Sequence, residues 1–151
     1  MTSYTITGDD TLTLFDRIFN DLATDDVTMI AFPNEIVKTK TGKNKNTVFA
    51  RDETGNNANL TLKLLRGSSD DQFMQLKQSA SDKDFSATVL ATGQFVKIMG
   101  DGQGNTVRDV YQLQGGMIKR RVEGKDNTSG DTDQATVTYE MIFAQAQRII
   151  Q

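Results

Sequence analysis

A chain of 151 residues with a net charge of -3, one proline, no cysteine and no histidine is the size of one domain, able to bury about 70% of its unfolded surface around a single core. The two missing residue types exclude disulfides, thiolate nucleophiles and every Ser-His or Cys-His arrangement, and they remove the usual zinc ligands, so no metal or cofactor is expected. The acidic balance argues against a general affinity for nucleic acid. No run approaches the roughly 18 apolar residues of a membrane span and no signal-peptide pattern opens the chain, so the expectation is a soluble protein with no membrane partner.

Along the chain, Met1 to Asp10 is short and polar and repeats no apolar face, which marks it as a flexible or docking terminus. Thr11 to Phe15, TLTLF, alternates as a strand. Asp16 to Asp26 stays open between a turn of helix, from the spacing of Phe15, Ile18, Phe19 and Leu22, and a broad strand connection. Val27 to Phe32 is a strand that Pro33-Asn34 ends. Asn34 to Asn46, NEIVKTKTGKNKN, is polar, and the strand resuming over Thr47 to Ala50 makes it the long loop of a hairpin. It exceeds the roughly two to five residues needed to reverse direction, and such a loop usually has a partner.

Asp52 to Asn57, with Gly55, is a tighter turn into Ala58 to Leu65, where Leu60, Leu62 and Leu64 point one way and Asn59, Thr61 and Lys63 the other. One helix is predicted, roughly Asp70 to Ser79. Ser68-Ser69 cap it, Asp70 and Asp71 suit the positive end of its dipole, and Phe73, Leu76 and Ala80 form its apolar stripe. Phe85 to Ala91, Phe95 to Met99, Val107 to Leu113 and Met117 to Val122 read as strands. Between them come Gly93, the turn GDGQGN over Gly100 to Asn105, and Gly115-Gly116, which suggests a bulge or a close backbone contact. Glu123 to Asp133 is a polar loop. Gln134 to Phe143 carries the clearest pattern, with Ala135, Val137, Tyr139, Met141 and Phe143 on one parity and Thr136, Thr138 and Glu140 on the other, the period of a half-buried strand. No repeat or linker divides the chain. The expectation is one domain over residues 1–151, an all-β sandwich or small barrel with a single flanking helix.

Candidate chemistry is sparse. Asp101, Gln103 and Asn105 alternate with glycines but lack the glycine and glutamate positions of an EF-hand loop, and a hairpin turn is the better reading. Asp126, Asp131 and Asp133 read as solvated loop acids. The carboxylates form no identifiable acid/base pair and no histidine activates a serine or threonine, so no enzyme is expected. Charge is unevenly spread. Asp9, Asp10, Asp16, Asp21, Asp25 and Asp26 against Arg17 alone give the first 26 residues a net -5, while Lys38, Lys40, Lys43, Lys45 and Arg51 against Glu35 give Asn34 to Arg51 a net +4. An acidic face and a basic loop on one small domain suit head-to-tail contact between copies, where charge sets register more than affinity.

The order of features resembles the tail tube proteins of contractile-tailed bacteriophages and related phage-derived particles. The resemblance is carried by TLTLF, VTMIAFPNEIVKTKTGKNKNTVFA, DETGNNANLTLKLLRGSSDDQF and QATVTYEMIFAQAQRII, and runs from about Thr11 to Ile150. Its most specific parts are FPNEIVKTKTGKNKN, LRGSSDD entering a helix, and TYEMIFAQAQR, none of them a catalytic signature.

That resemblance implies two packed antiparallel sheets, a flanking helix and a long extended hairpin loop, a fold shared with the tube protein of type VI secretion. It implies hexameric rings stacked into a hollow tube that conducts DNA at ejection, inside a virion assembled in the host cytoplasm, with sheath, baseplate or tip, and tape-measure proteins as further partners. Lys38, Lys40, Lys43 and Lys45 would sit on the loop that reaches an adjacent subunit. Asn59, Thr61 and Lys63, or Thr136, Thr138 and Glu140, would line the lumen. Two other readings stand beside it: a type VI-like secretion tube, and a carbohydrate- or protein-binding β-sandwich, which a chain with three tyrosines and no tryptophan serves poorly.

Overall fold

The computed structural model describes residues 3–24, 27–53 and 55–151. In chain order it holds β1 (Thr5–Leu14), β2 (Arg17–Ile18), β3 (Thr28–Ala31), β4 (Val37–Thr41), β5 (Thr47–Arg51), β6 (Ala58–Leu65), α1 (Ser69–Lys83), β7 (Ala91–Gly100), β8 (Thr106–Ile118) and β9 (Thr136–Ile150). Seven strands form one antiparallel sheet in the order β2-β1-β7-β8-β9-β6-β3, and β4 and β5 form a second by themselves. The expected all-β architecture with one flanking helix is what the chain adopts, without a closed barrel.

The large sheet is curled, and chain length shows why. Leu22 bridges to Leu64 of β6, with the Ala23 N–H donating to the Lys63 carbonyl at 3.1 Å and the Leu65 N–H to the Asp21 carbonyl at 2.9 Å. Only three residues, Phe19 to Asp21, lie between Ile18, at the end of β2, and Leu22, so the four steps reach at most about 14 Å. In a flat sheet β2 and β6 would stand about 24 Å apart, five strand spacings. The sheet therefore bends until its two sides lie within reach of one short segment. The hollow so formed is filled by Leu12 and Leu14 of β1, Leu60, Leu62 and Leu64 of β6, Leu113 of β8, and Val137, Tyr139, Met141 and Phe143 of β9, with Met74 of α1 closing it.

β6 and β9 are the walls of that core and direct neighbours, running from Ala58 opposite Phe143 to Leu65 opposite Thr136. Their alternation is as read from the sequence, every second residue buried from Ala58 to Leu64 and from Val137 to Phe143. At Gly115-Gly116 the expected irregularity is present: β8 takes three steps, Gly116 to Leu113, while β7 takes two, Ala91 to Gly93. Gly115 adopts φ +67, and a Cβ on Gly116 would run into the Phe143 ring.

Four readings need correction. Thr5 to Asp10, expected to be part of a flexible or docking terminus, is not flexible: it is the first half of β1, held by backbone pairing to β7 despite its polarity. Asn34 to Asn46 is not one long loop: Val37–Thr41 pairs residue for residue with β5, and the turn proper is Gly42 to Asn46, closed by the Gly42 N–H to the Asn46 carbonyl at 2.9 Å. Phe85 to Ala91 is not a strand, because the chain leaving α1 takes a 3-10 turn at Phe85–Ala87 and pairs only from Ala91. The helix runs to Lys83 and buries Asp70, Met74 and Gln78, leaving Leu76 and Ala80 exposed. Two polar residues tolerate burial there because both are hydrogen-bonded. Asp70 accepts from the Asn20 and Asp21 N–H groups at 2.8 Å each and from Arg17 Nε at 3.0 Å, and Gln78 donates to Asp82 at 2.6 Å while accepting from Gln75. Ser68 is the N-cap, its hydroxyl accepting from the Asp71 N–H.

Candidate functional site

The most distinctive surface is the β4–β5 arm. Every residue of both strands is exposed, an unusual state for a pair of strands, since an isolated two-stranded hairpin is marginal in water. It carries apolar side chains with no cover: Ile36 is 76% exposed, Val48 69% and Phe49 72%. Strand alternation sorts them. Lys38, Lys40, Val48 and Ala50 share one face; Val37, Thr39, Thr41, Thr47, Phe49 and Arg51 share the other. The four predicted lysines are therefore split, Lys38 and Lys40 on the rigid shaft and Lys43 and Lys45 in the turn, where Lys45 takes a left-handed φ of 68. Lys38 pairs with Asp52 at 3.4 Å, anchoring the base of the arm. Lys40, Lys43 and Lys45 have no acidic partner within 4 Å among the described residues.

The acidic counterpart is partly used up internally. Asp21 accepts from the Ser69 hydroxyl, and Arg17 is tied to Asp70. Asp9 and Asp10 remain on the outer strand β1, exposed and half-buried respectively. Asp25 and Asp26 lie outside the described residues.

The six residues expected on a polar face fall together. Thr61 stands opposite Glu140 and Lys63 opposite Thr138, with Asn59 opposite Ile142 and Thr136 opposite Leu65, so both candidate strands supply one continuous outer face. Glu140 is paired with Arg120 at 3.2 Å. Met29 and Ile142, both partly exposed, interrupt the polarity.

A second polar face escaped the sequence reading. Register aligns Thr13, Gln94, Gln112 and Gln147 across β1, β7, β8 and β9, with Gln114 opposite Gln145 beside them. All five glutamines are exposed; the next row on that side, Thr11, Val96, Val110 and Ile149, is uncharged but mostly apolar, with Val110 buried, so the polar part of the face ends there. Four strands from distant parts of the sequence make it, which is why no local pattern announced it.

The acids considered for chemistry are occupied by their own turns. Asp101 accepts from the Gln103 and Asn105 N–H groups and from the Asn105 side chain, which holds its carboxyl below the usual range. Asp131 accepts from the Asp133 N–H at the start of a 3-10 turn. Tyr139, its hydroxyl pushed well up by burial and by the adjacent Asp71 carboxylate, donates to that carboxylate at 2.6 Å and serves as a structural tie between β9 and α1.

No protein-family model matches the chain, and no curated protein sequence is similar to it. Among solved structures, a chain of one described as the sheath/tube terminator of an extracellular contractile injection system, PVC, in its extended state shares the fold. The TM-score is 0.56 at 10% identity, over 95% of this chain and 94% of that one.

Proposed function

We propose that the protein is a non-enzymatic structural subunit of the tube of a contractile-tail particle, its copies closing into hexameric rings that stack into a hollow conduit for DNA. The observation that carries this reading is the arm: a paired hairpin with no buried residue and four large exposed apolar side chains, Ile36, Val37, Val48 and Phe49, is marginal in water by itself and gains stability when another surface covers it. The fold held in common, nearly end to end, with a chain of a contractile injection system supports the choice of a neighbouring copy as that surface. Unpaired strand edges, a hazard for a solitary sheet protein, become the means of assembly when identical copies cover one another. The sheath, the baseplate or tip and the tape measure are the further partners on this reading, and the virion is its location.

The reading puts a polar, weakly charged sheet face on the lumen, since a strongly basic wall would hold DNA by its phosphates. Asn59, Thr61, Lys63, Thr136, Thr138 and Glu140 are the lumen candidates; the glutamine face is the alternative. A maleimide too large to enter the tube separates them: Thr61→Cys protected and Gln112→Cys labelled in assembled tubes assigns the lumen to β6 and β9, and the reverse assigns it to the glutamines.

The structural neighbour, a sheath/tube terminator, favours one second reading, a terminator that closes a tube with a single ring. Removing Lys40 to Lys45 tests both. A folded monomer by circular dichroism that no longer polymerises supports the tube subunit, unchanged tubes refute the arm's role, and a wild type that stops at one ring at every concentration favours the terminator.

A further inference from the structure

The arm needs an acceptor, and among the described residues the large sheet presents an edge to a second copy at each side, on β1 and on β3. On β1, pairing to β2 covers only Thr13 and Leu14, so Thr5 to Asp10 has no strand partner on its outer side among the described residues. Tyr4 is 74% exposed there and Ile6 77%. Asp9 and Asp10 follow at once, Asp10 opposite Lys97 in the ladder and Asp9 with its N–H turned back onto the Thr7 hydroxyl. The other edge, β3, reads TMIA with no acid within the strand, and the Lys63 N–H of β6 donates to the Val27 carbonyl at its start; Asp25 and Asp26, which precede it in the sequence, lie outside the described residues. Among the described residues, lysines that lack an acidic neighbour at home thus find complementary charge on the β1 edge itself and none within β3.

The chemistry of the two surfaces matches in order as well as in sign. On the arm, Val48 and Lys40 are direct cross-strand partners, an apolar side chain beside a cation. On β1, Ile6 lies three residues before Asp9. The ladder to β7 shifts register between Ile6 and Asp10, a bulge of the kind that discourages extended strand addition at an edge. Contact here is accordingly between side chains, with Val48 on Ile6 and Lys40, Lys43 and Lys45 on the aspartates.

We infer that the β4–β5 arm of one copy docks on the amino-terminal half of β1 of a second copy, pairing its unpartnered lysines with Asp9 and Asp10; this rests on the tube reading above and names its contact.

The test is charge reversal with rescue, read as polymer yield by sedimentation and negative-stain microscopy. Asp9→Lys with Asp10→Lys should lower the yield by more than about tenfold, because like charges now face each other. Lys40→Glu, Lys43→Glu and Lys45→Glu together should do the same, and all five substitutions in one chain should restore it. The chain has no cysteine, so Ile6→Cys with Val48→Cys gives an independent readout that preserves the charges: oxidised assemblies should run as covalent multimers. Wild-type yield from the Asp9→Lys, Asp10→Lys variant, no recovery in the folded five-fold variant, or no cross-link in assembled material would overturn the docking while leaving the tube reading intact. A wild type that never polymerises overturns both.

Discussion

Asp70 ties the crossing segment of the curled sheet to α1, and replacing it with alanine should show what that tie contributes. Its carboxylate, 1% exposed, receives the Asn20 and Asp21 N–H groups and Arg17, and so pins to α1 the very segment that spans from β2 to β6. Leaving a buried donor without an acceptor costs about 1–3 kcal/mol. Arg17 is partly exposed and can turn to water, Asn20 is exposed and Asp21 half-buried, so none of the three bears the full cost and together they come to about 3 kcal/mol. For a domain of this length that is a fall of about 6–12 °C in Tm. Urea and thermal melts followed by far-UV circular dichroism measure it. Asp70→Asn keeps the volume but loses one acceptor oxygen and should lose nearly as much; a change below about 1 kcal/mol in both variants would refute the claim that this carboxylate holds the crossing segment.

Gly116→Ala forces a methyl group into the Phe143 ring and should destabilise by about 1–3 kcal/mol through overpacking, whereas Gly124→Ala, where a Cβ meets nothing within 4 Å, should be close to neutral in the same melts. Tyr139→Phe removes the hydroxyl that donates to Asp71 and should cost about 1–2 kcal/mol without unfolding the core, which difference spectra and urea midpoints can separate. Asp101, held ionised by Asn105 and Gln103, contributes stability that is present above its ordinary 3.8 and lost as pH falls through its lowered folded value. Asp101→Asn should therefore destabilise slightly at pH 7 and progressively less as the pH falls below 3.8, and should leave assembly unchanged.

What was legible in the sequence is what one strand or one helix end records by itself. The alternation of β6 and β9 follows from one buried and one wet face, and the Ser68 cap from the need of the first turn for an acceptor. Elements whose reason lies elsewhere were not legible. β4 has no buried face, so VKTKT shows no apolar period and passes for loop. The first half of β1 is held by its backbone ladder to β7, which polar side chains do not betray. The helix stripe was misplaced because Asp70 and Gln78 count as surface residues until the partners that satisfy them are seen. The glutamine face is a property of register across four strands, whereas the arm lysines could be singled out by composition but not divided between shaft and turn.

The central claim is that identical copies cover one another's uncovered arm and edges. Negative-stain electron microscopy of the purified, concentrated wild-type protein tests it most directly. The account predicts hollow tubes or stacked rings whose amount rises with concentration; solitary particles at every concentration, with or without a nucleating complex, would contradict it.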